Sequence, residues 1–315
     1  MLYTRTKMSC LYKSNAEMRL KMNSKKAELL MASVALAWGS SYLLMKVGLN
    51  SISPFNLIAL RFGIAFIFMT LLFHKHFNKL TFSILRKGLL MGIILFLVFT
   101  GMVCGVNHTT ASAAGFLTST TVILVPILEC MIRKKLPQRK IVFSVLLVMI
   151  GLYFLTVQEN VSIDAGAIYC LFGALSYAIY IIVMDKIAKE EDTLLISILQ
   201  LGVASFLGII FMILFETPHL PATSLQWAAI ICLGLLCSAY GFVVQPIAQK
   251  HTTPERIGLI FSLEPVFSAI LSYIFLHETL GIKGYIGAVL VFGGVVFSKL
   301  KSPNYSNTQI KKETG

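Results

Sequence analysis

The chain has 315 residues, of which 57% are hydrophobic and 13% charged; its mean hydropathy is +0.80 and its net charge +13. Soluble domains carry about 25% charged residues, so this composition excludes a soluble globular protein of the same length. The excess of basic residues follows the links between apolar stretches, which is a topology signal with some attraction to anionic lipid headgroups, and nothing in it calls for nucleic acid.

Residues 1–26 form a basic, polar tail with no apolar core, and so do not read as a cleavable signal peptide. Met22 opens "MNSKKAELL", a natural start, which makes the first 21 residues read as a start-site artefact or a disordered tail. Apolar stretches then follow at roughly 27–49, 54–73, 87–106, 110–132, 140–157, 165–184, 194–215, 225–245, 254–276 and 281–300. Each is about 18–23 residues, the length at which an α-helix crosses a hydrocarbon core of about 30 Å. The reading is an all-α, polytopic membrane protein of ten transmembrane helices. With a cytoplasmic N-terminus, the inner segments are 1–26, 74–86, 133–140, 185–193, 246–256 and 299–315. With their adjoining helix ends they hold all of the 27 Lys and Arg residues except Lys46, Arg61 and Lys283. The opposite links carry little charge or are acidic, as in "QENVSIDAG", so both termini are expected to be cytoplasmic. The six cysteines, at 10, 104, 130, 170, 232 and 237, show no CxxC or Cys/His metal spacing and read as free thiols, with no metal or other cofactor expected.

The chain repeats itself. "HTTASAAGFLTS" (108–119) aligns with "HTTPERIGLIFS" (251–262) at an offset of 143, and "LLVMIGLYF" (146–154) aligns with "VLVFGGVVF" (289–297) at the same offset. Nearer the start of each half the offset is 139: "ALAWGSSYLLM" (35–45) aligns with "ALSYAIYIIVM" (174–184), placing Trp38 opposite Tyr177, and "LRFG" (60–63) aligns with "LQLG" (199–202), placing Arg61 opposite Gln200. The halves are 27–157 and 165–300, followed by a tail at 301–315. Five spans per half is an odd number, so the second half should lie inverted in the membrane, the arrangement of many secondary transporters.

Several motifs carry a family resemblance. "ALAWGSSYLLMKVGL" in the first span, "LRFGIAF" in the second and "LEPVFSAILSYIFLHETLG" across the ninth and tenth resemble the EamA-type permeases of the drug/metabolite transporter superfamily. The first half departs from the pattern in "VILVPILECMIRKKLP", where Arg133 and Lys134 replace the usual Gly-Glu. The resemblance covers about 27–300 and implies movement of small solutes through a central cavity between the halves.

Few polar residues lie deep in the spans. Arg61 falls about 10 Å from one face and Glu264 about 15 Å from the other at 1.5 Å per residue, within reach of a long arginine side chain. Buried charges in spans face the interior, pair and mark solute or proton routes. The two therefore read either as groups of such a route or as a structural pair, with a protonated Glu264 bonded to a backbone carbonyl as the other structural reading. Pro265, next to Glu264, has no N–H, so the carbonyl of Phe261 loses its helical partner and the helix bends. A freed carbonyl at that depth needs protein or a wet cavity. Glu264 is thus the coupling candidate, able to take a proton or a cationic solute group. Pro126 should free Val122 in the same way in the first half. Trp38, Tyr42 and Met45 share one helical face, as do Tyr177, Ile181 and Met184. Such stripes are most often packing, but the repeat-equivalence of Trp38 and Tyr177 raises both. Ser119, beside Thr118 and with Ser262 as its repeat mate, and Gln200 at mid-span complete the predicted substrate path of Trp38, Tyr42, Arg61, Ser119, Tyr177, Gln200, Glu264 and Pro265. The six histidines all fall near span ends.

No HExxH, Walker P-loop or GxSxG motif is present, so an enzyme is not expected and any driving energy must come from gradients. The expected activity is secondary active export of small metabolites or xenobiotics, with amino acids and related amphipathic solutes the first substrates to test. The rivals are an uptake permease or facilitator and a non-transporting sensor or scaffold. The expected partners are a small-molecule substrate, membrane lipids and a second copy of the chain, in the cell (inner or plasma) membrane.

Overall fold

The computed structural model of the chain describes residues 24–109, 111–156, 165–191, 193–276 and 281–299. The N-terminal tail to residue 23, most of the "QENVSIDAG" link, the His-Glu of 277–278 and the C-terminal tail lie outside the described residues. Among those described every regular element is helical. In chain order the helices are α1 (Ser24–Gly39), α2 (Ser41–Leu49), α3 (Pro54–Leu72), α4 (Phe82–His108), α5 (Ala111–Ser119), α6 (Thr121–Arg133), α7 (Arg139–Thr156), α8 (Ala165–Glu190) and α9 (Thr193–Phe215). There follow α10 (Ser224–Cys232), a π-helical segment (Leu233–Tyr240), α11 (Gly241–Gln249), α12 (Pro254–Phe261), α13 (Glu264–Leu276) and α14 (Ile282–Lys299). A 3-10 turn over His74–Lys79 joins α3 to α4.

Seven helical segments are long and apolar enough to cross a membrane: Ser24–Leu49, Pro54–Leu72, Phe82–His108, Ala114–Arg133, Ala165–Glu190, Thr193–Phe215 and Ser224–Gln249. A shorter apolar helix covers Ile282–Ser298. The remaining predicted stretches are α7, which opens on Arg139 and Lys140, and the ninth, which is broken into α12 and α13. The protein is an all-helical, multi-pass membrane protein.

Its surface has the chemistry of lipid contact. Along α7 the residues Phe143, Leu146, Ile150 and Tyr153 are exposed, and along α14 so are Ile286, Val289, Phe292 and Val296. Steps of three and four put each set on one helix face. The opposite faces close the core, where Met31, Phe62, Leu95, Tyr180 and Phe242 are buried. Helices α7 and α14 approach closely because glycines face the partner backbone: a Cβ on Gly151 would stand 2.7 Å from the amide of Val291, and one on Gly294 3.1 Å from the carbonyl of Ser144. Small residues permit such packing where lipid supplies no hydrophobic drive between helices.

Local chemistry fixes the helix ends. Pro54 occupies the first turn of α3, where a missing N–H costs nothing. The next two amides, of Phe55 and Asn56, donate to the two carboxylate oxygens of Glu216, each at 3.0 Å. A side chain at the end of α9 thus caps α3 across the chain, with an anion at the positive end of the helix dipole. Thr81 caps α4, and Thr223 with Gln226 forms a capping box on α10. Lys134 ends α6 in the left-handed conformation at φ 52°, the position that glycine usually takes.

The charges cluster at helix ends. Lys87 near the start of α4 pairs with Glu190 at 3.3 Å and Glu191 at 2.9 Å beyond α8, and Arg256 of α12 pairs with Glu28 of α1 at 3.0 Å. The Lys87 ammonium and the Ser83 hydroxyl hold the Glu191 carboxyl below the usual carboxylate range. Glu129 pairs with Arg133, one turn on in α6, at 2.7 Å, and Asp185 pairs with Lys189 at 2.7 Å.

The cap on α3 gives a first prediction. Glu216→Ala leaves two helix-start amides without their acceptor and should cost about 1–2 kcal/mol, in the range of lost N-caps, read as a lower thermal midpoint in detergent. Glu216→Gln, which keeps an acceptor, should lose less. Equal midpoints for wild type and Glu216→Ala would mean that water replaces the cap at no cost.

Candidate functional site

Three helical stretches are interrupted, and the breaks border one cavity. Span one breaks at Ser40 between α1 and α2, span four at Thr120 between α5 and α6, and span nine at Ser262–Leu263 between α12 and α13. The cavity, a narrow one with about 40 Å³ open to the centres of water-sized molecules, is lined on these breaks by Trp38, Ser41, Tyr42, Ser119, Thr121, Ser262 and Glu264. Hydroxyls supply donors to carbonyls at each break: Ser40 to Ala37 at 2.7 Å, Ser119 to Gly115 at 2.7 Å, Thr121 to Thr118 at 2.8 Å, and Ser262 to Leu259. Such back-bonding satisfies the chain where lipid cannot.

At the third break α12 closes with Leu263 N–H on the carbonyl of Ile260 at 3.0 Å, and the new helix begins with Phe267 N–H on the carbonyl of Leu263 at 2.9 Å. Pro265 falls in the first turn of α13, so the missing N–H lies at a helix start rather than inside a helix. Glu264 is the first residue of α13, buried to 9% exposure, with an anion favoured there by the helix dipole. Tyr42 and Tyr177 line the same cavity.

A fourth irregularity holds two of the lining residues, Trp38 and Arg61. In the π-helical segment the wider turn redirects backbone and side chains. The carbonyl of Cys237 accepts from the Trp38 indole N–H at 2.7 Å, and the Ser238 hydroxyl accepts from Nε of Arg61 at 3.0 Å. The Arg61 guanidinium lies 4.4 Å from the centre of the Phe99 ring and 5.1 Å from that of Phe62, at cation–π distance. Its Nη1 is buried and has no partner among the described residues. Aromatic rings cluster in the same cavity: Trp38 has its ring centroid 4.9 Å from Phe242, 4.8 Å from Phe261 and 6.0 Å from Tyr177. The rings touch one another, so a solute entering here must part them.

The profile of the EamA-like transporter family matches this chain twice, over residues 25–157 and 164–300. The chain belongs to the EamA-like transporter family. It is 31% identical over 278 residues to an uncharacterized transporter of Archaeoglobus fulgidus, covering 87% of this chain and 86% of that one. It is 27% identical to the uncharacterized transporter YetK of Bacillus subtilis, covering 86% of each. A solved crystal structure shares the fold at a TM-score of 0.75, with 20% identity over 89% of this chain and 98% of that chain. These findings make the protein a membrane transporter.

In this EamA-family chain the sequence-predicted residues Trp38, Tyr42, Arg61, Ser119, Tyr177 and Glu264 all border the one cavity. Gln200 and Pro265 do not. Gln200 is fully buried behind the wall, accepting from the Tyr180 hydroxyl at 3.0 Å and donating to the Phe242 carbonyl at 3.3 Å. Pro265 acts through the break beside it. Two expectations need correction. Arg61 and Glu264 border the same cavity but form no ion pair among the described residues, because Ser238 and the rings of Phe62 and Phe99 hold the guanidinium. Pro126 lies inside α6, where its missing N–H frees the Val122 carbonyl as expected, but it does not break the span as the mirror of Pro265: span four breaks at Thr120, whose hydroxyl turns back onto Leu117. The lining residues Ser41, Phe99, Thr121, Phe242 and Phe261 were not singled out from sequence. Their apolar or small side chains blend into spans of similar composition, and only the repeat offset could have marked some of them.

Gly39 sets how close α1 comes to the broken span. A Cβ there would stand 2.9 Å from the carbonyl oxygen of Glu264 and from Cβ of Phe267. Gly39→Val should therefore push α13 from α1, costing about 1–3 kcal/mol as overpacking does. In a Trp227→Phe background, which leaves Trp38 as the single tryptophan, it should also shift the Trp38 emission. Unchanged stability and emission would contradict the close approach.

Proposed function

We propose that the chain is a secondary active exporter of small amphipathic metabolites or xenobiotics, working by alternating access between two inverted five-span halves. The observation that carries this reading is the pairing within the cavity wall. At the offset of 143, Phe99 corresponds to Phe242, Thr118 to Phe261, Ser119 to Ser262 and Thr121 to Glu264; at 139, Trp38 corresponds to Tyr177. All ten line the cavity. Two related halves that contribute matching positions to one site can expose it to either side by similar motions. The close-approach glycines Gly151 and Gly294 are also 143 apart.

The halves are not chemically equal. Thr121 stands where the second half has Glu264, and Gln200 where the first has Arg61. The Glu264 carboxylate therefore has no counterpart at the matching position of the first half. Glu264 releases a proton when a cationic solute group arrives and takes one when it leaves, which exchanges protons for solute. Exchanging one proton for a solute that is neutral overall moves one unit charge, which through 100 mV gains about 2.3 kcal/mol, enough for about a fifty-fold gradient. A solute of net charge +1 is driven by the pH difference alone.

Reconstituted vesicles test this. With an inward proton gradient the wild type should extrude solute, and Glu264→Gln, which keeps shape but cannot ionise, should abolish gradient-driven accumulation while solute-for-solute exchange persists. Accumulation by Glu264→Gln equal to wild type at every pH would make the carboxylate structural. The orientation has its own test: reporter fusions after Ser53 and after Glu278 should report the outer side, and one after Lys135 the cytoplasm. A cytoplasmic signal after Ser53 would overturn the topology.

A further inference from the structure

Buried polar atoms without a partner gather on one seam of the bundle. Among the described residues, seven such atoms are the Tyr177 hydroxyl, Ser197 Oγ, both Oε1 and Nε2 of Gln245, Gln249 Oε1, Thr252 Oγ1 and Asp185 Oδ1. They belong to α8, α9, α11 and the link after α11. Helices α8 and α11 lie two crossings apart and so run toward the same end of the bundle. The Gln249 amide donates to the Ile181 carbonyl, which sets the two helices level. One turn before that bond stand Tyr177 and Gln245. One turn beyond it stand Asp185 and Thr252, whose N–H donates to the Gln249 carbonyl at 3.4 Å. The Gln200–Phe242 bond sets α9 against α11 in the opposite sense, so Ser197 comes level with Gln245. The row thus begins at Tyr177, on the central cavity, and ends at Asp185, about 12 Å further along α8. Asp185 lines a second recess with Glu129, Arg133, Lys186, Lys189 and Glu190, and this one has about 310 Å³ open to the centres of water-sized molecules. It lies at the ends of α6 and α8, which the topology proposed above makes cytoplasmic.

Folded proteins leave few buried polar groups unpartnered, and water satisfies most of those that protein does not. A row of them joining two cavities calls for one explanation. We infer that a file of ordered water runs along this seam and carries protons between the central cavity and the cytoplasmic recess. This rests on the proton exchange proposed above and names the proton's route. At about 2.8 Å per step, about four waters span the row. The seven side-chain atoms and the neighbouring waters give each of them the two to four partners that a buried water takes. A proton released by Glu264 passes to the first water, each water hands on one of its own, and the last gives one to Asp185 or to the recess. The lining suits a relay. A glutamine amide donates and accepts but does not titrate, so it orders water without trapping the proton. Carboxylates stand only at the two ends, Glu264 in the cavity and Asp185 in the recess, where Lys189 holds the other oxygen of Asp185 at 2.7 Å. Ser197, Gln245 and Gln249 are fully buried, so the row admits water and protons but no solute.

Water and protons are tested separately on the full chain. X-rays convert bound water to hydroxyl radicals, which oxidise the side chains beside it. Met184 is fully buried on the Tyr177 face of α8, and Met45 is as buried in α2, away from the seam. In the wild type in detergent, Met184 should be oxidised at least fivefold faster than Met45. Equal rates overturn the file, and this comparison needs no variant to fold. Protons are followed in vesicles whose cytoplasmic face is outward, in the Trp227→Phe background, where Trp38 is the single tryptophan and shares the cavity of Glu264. After an acid jump outside, Trp38 emission should change, and Glu264→Gln should abolish the change. Gln245→Leu and Gln249→Leu should each slow it tenfold or more with the same final amplitude, and Gln245→Asn, which keeps an amide, should stay within threefold of wild type. Leucine variants within threefold of the wild-type rate, or altered in amplitude rather than rate, make the glutamines packing groups and overturn the inference. Absence of any Glu264-dependent response in the wild type overturns the proton exchange itself, and the route with it.

Discussion

Hydrocarbon offers no partner to a free amide or carbonyl, and that constraint organises this molecule. A helix that crosses lipid cannot be interrupted unless protein or water receives the groups it frees. Here three spans are interrupted beside one cavity, and a fourth passes into a π-helical segment that bonds two of the cavity's lining residues, Trp38 and Arg61. Serine and threonine hydroxyls at the breaks turn back onto carbonyls of the preceding turn. The outward faces of α7 and α14, by contrast, are regular and apolar. Irregular backbone inside and regular helix outside is the arrangement a solute path through a membrane requires.

The broken backbone also decides which side chains act. The turn at Ser262–Leu263 makes Glu264 the first residue of a helix, and the close approach at Gly39 fixes that helix start against α1. The π-helical segment places a carbonyl on Trp38 and a hydroxyl on Arg61 at the same time. Aromatic and charged groups are therefore held by contacts from different spans, so a motion of one half relative to the other alters both charge spacing and ring packing together. That coupling makes the proposed exchange of proton for solute a property of the whole site rather than of one carboxylate.

Much of this was legible in the sequence because the signals were local or periodic. Span length and hydropathy announced the membrane fold, Glu264-Pro265 announced the break in span nine, and the repeat offsets brought Trp38 and Tyr177 together. What was not legible depended on contacts between distant positions. Leu233–Tyr240 reads as one more apolar helix, yet its wider turn is what partners Arg61 with Ser238, 177 positions away. The apparent Arg61–Glu264 pair followed from depth alone, and depth cannot say which wall a side chain lies on. Pro126 does mark a lost donor inside α6, but the break itself falls earlier, at Thr120, where neighbouring hydroxyls turn back onto carbonyls. Gln200 looked like a mid-span ligand, and its amide is consumed by Tyr180 and Phe242.

The central claim is that one cavity, bordered by the interrupted spans, opens alternately to the two sides of the membrane. The most direct measurement places a single cysteine at Ser119, in a chain otherwise free of cysteine, and follows its labelling by a membrane-impermeant thiol reagent. Vesicles of each orientation are compared with and without transported solute. The account predicts labelling from both sides, with solute reducing both rates. Labelling confined to one side, whatever the solute or gradient, would contradict it.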